Sequence, residues 1–409
     1  MNNSAVYDVI IIGGGMVGAS LLAALRNHAD KKIALIEAVP FDSSAQPSFD
    51  DRSIALSYGS RRIFESLGLW QLIEAQVEAI KTIHVSDRGH LGATRLHHHE
   101  ERVEALGYVA ENKVVGRVLM DAVQQLPHVD WYCPATIESL EQSADEVSIQ
   151  VKSGVDSEAQ TQRLSARLLV AADGVHSVTR KLAAVDIIHN DYQQSAIITN
   201  VQTDQRHNSI AYERFTDTGP LAFLPMTGNR YSVVWTCPRQ QLQSLLDLGE
   251  AEFSQKLQQR FGFRAGNIKK VGARAAYPLV YSEAGQLCKG RVVIIGNAAH
   301  TLHPVAGQGY NLALRDVAEL AELIVAADDP GEVSLLANYQ ATRLQDMRRI
   351  YRATDSLVKI FSNNHALLGH ARAMGLICVD LLSPLRHLMA RHSMGLAGRM
   401  NKLQRRLPL

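Results

Sequence analysis

Gly13, Gly15 and Gly18 stand in the spacing G-x-G-x-x-G. Each glycine has its own task at such a place. The first permits a tight strand-to-helix turn, the second lets a diphosphate approach the main chain, and the third lets a helix pack close to a strand. The residues from Ala19 to Arg26 favour a helix, whose N-terminus offers unpaired N–H groups and a partial positive charge to an anion. Glu37 ends the next apolar run, where an acid can accept hydrogen bonds from a ribose. A second cluster is Ala172-Asp173-Gly174 with Ser177 and Arg180. A third runs from Gly296-Asn297-Ala298-Ala299-His300 through Pro304 to Gly307-Gln308-Gly309, just before a helix that opens at Tyr310-Asn311. Its amides can hold a second anionic group. Arg52, after Asp50 and Asp51, either faces a phosphate or pairs with those aspartates. Arg117 lies on a helix expected from Glu111-Asn112 to Leu126.

Strands must hold these turns. Tyr7–Ile12, Lys32–Ile36, Leu168–Ala172 and Arg291–Ile295 are short apolar runs, the pattern of parallel strands buried on both faces. The character changes near residue 183. Ser195–Val201, Ser209–Phe215, Leu221–Pro225 and Tyr231–Thr236 alternate and are separated by turn residues, which predicts an antiparallel sheet with one face on a core. One helix, roughly Ser244–Phe261, is expected to close that section, and the last sixty or so residues read as helical and basic.

The 409 residues allow two or three domains, and the net charge of +1 gives no field that would draw nucleic acid. Cys133, Cys237, Cys288 and Cys378 lack metal or redox spacing, which suits a reduced, cytoplasmic setting. His97-His98-His99 has no partner at ligand spacing, so no metal site is expected. The motif alone does not separate NAD from FAD.

In their order and spacing, the three glycine clusters resemble those of class A flavoprotein monooxygenases, the group of the para-hydroxybenzoate hydroxylase fold. Val85-Ser86-Asp87-Arg88-Gly89-His90 and Glu213-Arg214-Phe215 followed by Gly219-Pro220-Leu221 look like the ubiquinone-biosynthesis hydroxylases, most of all those acting on polyprenylated methoxyphenols. The resemblance implies an α/β fold: a Rossmann-like FAD-binding domain, an inserted antiparallel-sheet substrate domain, and C-terminal helices. It divides the chain into 1–75, 101–182 and 270–345 for FAD, 76–100 and 183–269 for substrate, and 346–409 for the helices. It implies hydroxylation of a polyprenylated phenol with NAD(P)H and O2 through a flavin C4a-hydroperoxide. Hydroxylation at another ring position or of another phenol stays open, as does a flavin-bound structural subunit. Halogenation is disfavoured, since Trp70, Trp131 and Trp235 are isolated.

By the same resemblance, Gly13, Gly15 and Gly18 hold the FAD pyrophosphate and Glu37 the adenosine ribose. Arg52, Arg117 and Asp173 contact the cofactor. Gly307, Gln308 and Gly309 bring amides to the flavin edge, where Asn311 opens the helix. His300 and Pro304 line the flavin. The family's usual aspartate is replaced by Asn297, which keeps an acceptor oxygen for the ribitol without the charge. Tyr212, Arg214, Phe223, Pro225 and Trp235 are candidates for the substrate side, or else core. At the C-terminus, Ser383-Pro384 opens a helix placing Leu385, Leu388, Met389 and His392 on one face, flanked by Arg386, His387 and Arg391, and no acid follows Asp380. Such a segment suits the inner face of the cytoplasmic membrane, a partner of the quinone-biosynthesis proteins, or the protein's own core.

Overall fold

The computed structural model describes residues 6–41, 52–154, 160–303, 307–361 and 366–409. Pro304, Asp50 and Asp51 lie outside the described residues. The nucleotide-side sheet has a parallel middle in the order Val292–Ile294, Gln160–Ala171, Val6–Ile12, Ile33–Ile36, Val129–Tyr132. From the first strand the chain winds to one side through Ile33–Ile36; Gln160–Ala171 later returns on the other. The continuous apolar runs are explained by burial on both faces. Val9 and Ile11 pack with Leu21, Leu22, Leu119 and Val317 from helices Met16–Leu25, Asn112–Val123 and Gln308–Ala326. Ile10 and Ile12 join Ile137, Val147 and Ile149 of the antiparallel strands Ala135–Gln142 and Val147–Ser153.

A second sheet runs His300–Thr301, Ala275–Ala284, Ile187–Thr203, Arg230–Pro238, Gly219–Met226, Ile210–Thr216, Thr82–Asp87, Ala93–His97, with Ile268–Val271 paired to Ile187–Thr203. It is antiparallel except where Ile210–Thr216 meets Thr82–Asp87. It therefore extends past the 183–269 segment, taking in the strand that starts at Ala275.

One face of this sheet is closed by helix Glu250–Phe261, whose Phe253, Leu257 and Phe261 pack on Ile197, Leu221, Phe223 and Val233. The expected helix over 244–261 is two pieces, Leu242–Leu246 and Glu250–Phe261, with Gly249 in extended backbone as the cap of the second. Glycine disfavours a helix interior, so the break falls there.

The other face is covered by two elements. A small sheet of Ser53–Ser57, Gly107–Glu111 and Glu78–Ile80 brings Ile80 and Val109 onto Ala211 and Met226. The helices Val333–Phe361, Ala366–Leu381 and Ser383–Ser393 bring Leu357, Leu376 and Met389 onto Val85 and Phe215. A buried ion pair, Arg372 Nε to Asp87 at 3.0 Å, fastens these helices to the sheet.

A β-carbon at Gly18 would lie 1.9 Å from the carbonyl oxygen of Gly13. The nucleotide helix and the first strand can meet only because that atom is missing. Gly18→Ala is expected to push them apart at a cost of about 1–3 kcal/mol, read as a lowered thermal unfolding midpoint. An unchanged midpoint would show that the helix can shift freely.

Candidate active site

The parallel strands end level. Ile36, Ile12, Ala171 and Ile294 stand side by side in register. The ladder continues one step beyond them, from Gly13 N to Ile36 O at 2.8 Å, Ala172 N to Ile12 O at 2.8 Å and Ile295 N to Ala171 O at 3.0 Å. Each motif thus leaves the sheet at the same height. Clusters separated by more than a hundred residues in sequence share one rim, at the place where the winding direction of the sheet reverses. Ligands of open parallel sheets bind there.

The first turn fits an anion. Gly13 has φ +100°, and Gly15 caps helix Met16–Leu25 with no side chain on the free N–H groups. Glu37 is buried and braces this turn: Oε2 accepts from Gly14 N at 2.5 Å and Oε1 from Val39 N at 2.8 Å. The second helix N-terminus repeats the arrangement. Gly307 is left-handed, at φ 59° and ψ 34°, and helix Gln308–Ala326 has neither a side-chain cap nor an acid in its first turn. A β-carbon at Gly309 would meet nothing within 4 Å, so there is room against these amides. Gln308 is buried beside them, and Asn297 is exposed at the rim.

Two of the residues expected at the cofactor also brace the structure. The Asn311 side chain is fully engaged: Oδ1 accepts from Ser57 N at 2.8 Å and Ser60 Oγ at 2.7 Å, while Nδ2 donates to Ala55 O at 2.7 Å and Gly307 O at 2.6 Å. It clamps the small sheet to the glycine turn. Asp173 accepts from Ser177 Oγ at 2.5 Å and from Thr179 N and Oγ1 at 3.0 and 2.9 Å, within its own turn. Buried Arg180 donates to Ala298 O at 2.6 Å, joining the second motif to the third.

His300, which the resemblance places against the flavin, also has a structural partner through one ring nitrogen. Its ring is buried, with Nε2 2.8 Å from Asp316, and Asp316 also accepts from Arg343 Nε at 2.8 Å. Burial pushes the Asp316 carboxyl up, but the Arg343 guanidinium and His300 overcome it and hold its pKa at about 2. The histidine is part of a strut between the third motif, helix Gln308–Ala326 and helix Val333–Phe361. Arg52 stacks over the Tyr277 ring at 4.8 Å. Arg117 is exposed and makes no hydrogen bond or ion pair among the described residues.

The proposed pocket side chains are corrected by strand parity. Tyr212 lies 5.6 Å from Phe261 and donates to Arg264 O at 3.3 Å. Arg214 reaches toward Gly262, just past the same helix. Phe223 stacks on Phe261 at 3.8 Å, Trp235 lies 5.4 Å from Phe253, and buried Pro225 pairs with Tyr231 on that side. All five point to the face covered by helix Glu250–Phe261. The opposite face carries the in-register row Ile198, Val234, Ala222 and Glu213, each partly accessible. This row, shifted by one residue from the candidates, was missed by the sequence reading.

A family model described as an FAD binding domain matches residues 6–354. The chain belongs to this FAD-binding family. It is a flavoprotein monooxygenase. The ubiquinone hydroxylase UbiL of Rhodospirillum rubrum is 37% identical, covering 99% of this chain and 94% of its own. The 3-demethoxyubiquinol 3-hydroxylase of Escherichia coli is 30% identical, covering 95% and 98%. The p-nitrophenol 4-monooxygenase PnpA of Pseudomonas putida superposes with a TM-score of 0.76 at 18% identity, over 96% of this chain and 99% of the other, and shares the fold. In this flavoprotein the two uncapped helix N-termini and the braced glutamate fit a dinucleotide with an anionic middle and a second electron-rich end.

Asp316→Asn takes one of two carboxylates from buried Arg343, which keeps Asp346, and leaves His300 facing a neutral amide; it is expected to cost about 1–3 kcal/mol. Because the folded pKa is depressed, the carboxylate's contribution is present above pH ~4 and lost as pH falls toward about 2. Denaturant titration of the variant checks this; a loss below about 1 kcal/mol would show that the strut is dispensable.

Proposed function

We propose that this flavoprotein hydroxylates the aromatic ring of a polyprenylated phenol in ubiquinone biosynthesis, with NAD(P)H as reductant and O2 as oxidant. The observation that carries the reading is the shared rim of three glycine clusters beside an inner sheet face, together with relatives named for ubiquinone hydroxylation. When bound, FAD supplies the activated oxygen. The chain does the rest. Gly13, Gly15 and Gly18 receive the pyrophosphate at the first helix N-terminus, and Glu37 accepts from the ribose. Arg52 and Arg117 offset phosphate charge. Gly307, Gln308 and Gly309 present amides to the flavin edge, where the helix end favours negative charge, and Asn297 accepts from the ribitol. The inner face of the large sheet orients the ring and keeps water away. The alternative is a flavin-bound structural subunit of the quinone-biosynthesis proteins.

The purified protein should be yellow, and Gly15→Val should yield folded, colourless protein with at least a 100-fold loss of FAD affinity, roughly 3 kcal/mol. Analysis of the quinone precursor that accumulates in a deletion strain identifies the ring position. Normal ubiquinone in that strain would overturn both readings, and restoration of ubiquinone by FAD-free Gly15→Val would leave the structural one.

The C-terminal helices support a peripheral membrane contact on the cytoplasmic side. No single helix among the described residues is long and apolar enough to cross a membrane. Helices Ala366–Leu381 and Ser383–Ser393 instead meet in a sharp bend that exposes Leu381, Leu382, Leu385 and Leu388, with Arg391 and His392 alongside. The basic face is smaller than the sequence suggested: Arg386 pairs with Glu100 and His387 with Glu101, while Met389 turns inward. In co-sedimentation with vesicles containing anionic lipid, the double variant Leu382→Ser, Leu388→Ser is expected to bind at least about 10-fold more weakly, since it removes two buried leucyl contacts. Equal sedimentation of both proteins would remove the membrane role from this patch.

A further inference from the structure

Glu213 stands on the inner face of the large sheet, in the row Ile198–Val234–Ala222–Glu213, with Val85 next in register. Its neighbours in the row are apolar. Its neighbours along the strand on that face, Ala211 and Phe215, are buried under different lids. Ala211 packs beneath the small sheet, against Ile80 and Val109, and Phe215 beneath the C-terminal helix residue Leu376. Glu213 thus occupies the gap between the two lids. The side chain is half-buried, like the rest of its row. It makes no hydrogen bond or ion pair among the described residues. Burial alone pushes its pKa up to about 8. The other charged groups bordering this face are paired: Asp87 with Arg372 and His90, and Glu111 with Arg230 and Lys113.

The same face leads to the cofactor side. Ile198 pairs with Ala275, two residues before Tyr277, whose ring carries the Arg52 guanidinium. The small sheet that forms one lid is clamped by Asn311 to the glycine turn of helix Gln308–Ala326. An apolar wall with one carboxyl that has no partner among the described residues therefore leads toward the flavin-edge turn. A buried carboxyl left without a partner is costly, and such a group is retained where a ligand completes it.

Resting on the phenol reading above, we propose that Glu213 accepts the hydrogen bond, and then the proton, of the substrate's ring hydroxyl. The phenol O–H bond breaks, the proton forms a bond to a Glu213 carboxylate oxygen, and the electron pair stays on the phenolate oxygen. That pair feeds the ring carbon that takes up the oxygen atom derived from O2. When the ring loses its C–H proton to solvent and regains aromaticity, Glu213 returns its proton to the same oxygen. A carboxyl with an ordinary pKa of about 4.3 is a poor base for a phenol near 10; one raised to about 8 narrows that gap and sits close to working pH. Apolar neighbours in the row hold the prenylated ring without competing for its hydroxyl.

The test uses the FAD-loaded enzyme and 2-prenylphenol at pH 8. With wild type, the ultraviolet difference spectrum of the phenol bound to oxidised enzyme should show the phenolate band, and NADH with O2 should give hydroxylated product. Glu213→Gln, close in size, should keep FAD, bind the phenol with a dissociation constant within about threefold, lack the phenolate band and lose about 100-fold or more in kcat. Glu213→Asp should recover part of both signals. Wild-type kcat and phenolate band in Glu213→Gln would overturn the assignment while leaving the phenol reading intact. Failure of wild type to bind or hydroxylate the phenol would overturn both.

Discussion

Everything at the candidate site depends on four strand ends being level. Ile36, Ile12, Ala171 and Ile294 are adjacent in register, and one more rung of main-chain bonds carries the alignment into the turns. A parallel sheet makes this possible because every strand points its C-terminal end the same way. The slack is then removed by side chains that serve geometry. Asp173 folds its own turn, Arg180 ties that turn to Ala298, and Asn311 ties the late glycine turn to the small sheet. A dinucleotide needs donors fixed several ångströms apart, and preorganised donors act without reorganisation cost.

The parts of this that depend on neighbours in sequence were legible. The first strand, its glycine turn and Glu37 follow from a buried run ended by small residues and an acid. The antiparallel region followed from alternation. Which face of that region is covered did not, because a period of two names two faces without saying what packs on either. Helix Glu250–Phe261 settles it by taking Phe223 and Trp235 into its core, and Tyr212 and Arg214 go with them. Glu213, one residue away, falls on the other face. The strut at His300 was not legible for a related reason: Asp316, its partner, and Arg343, which also bonds Asp316, are on helices whose approach no local pattern fixes.

Two carboxyls, buried Asp316 and half-buried Glu213, show how environment assigns work to one functional group. Both are desolvated, and desolvation raises a carboxyl's pKa. At Asp316 a guanidinium and an imidazole reverse the shift, to about 2, and the group stays charged within a strut. At Glu213 nothing reverses it, and the value stands at about 8. The first arrangement is closed, since its acceptors are met by Arg343 and His300. The second has no donor among the described residues, and under the proposal above a phenol would bring one.

The C-terminal helices connect the Glu213 face to the polyprenylated substrate proposed above. Their inner sides roof the Glu213 face: Leu376 packs on Val85 and Phe215, Met389 joins them, and the Arg372–Asp87 pair holds the roof in place. Their outer sides expose Leu381, Leu382 and Leu388 at the bend. An exposed apolar patch on a soluble surface marks a contact with something apolar. Because the patch and the roof belong to the same two helices, a lipid surface against the patch would lie next to the lid over the carboxyl. A polyprenyl tail longer than any enclosed pocket would then have its ring beside Glu213 while much of the tail stayed in the bilayer. Under the function proposed above, that arrangement would let the ring reach the sheet face while most of the tail stays in lipid.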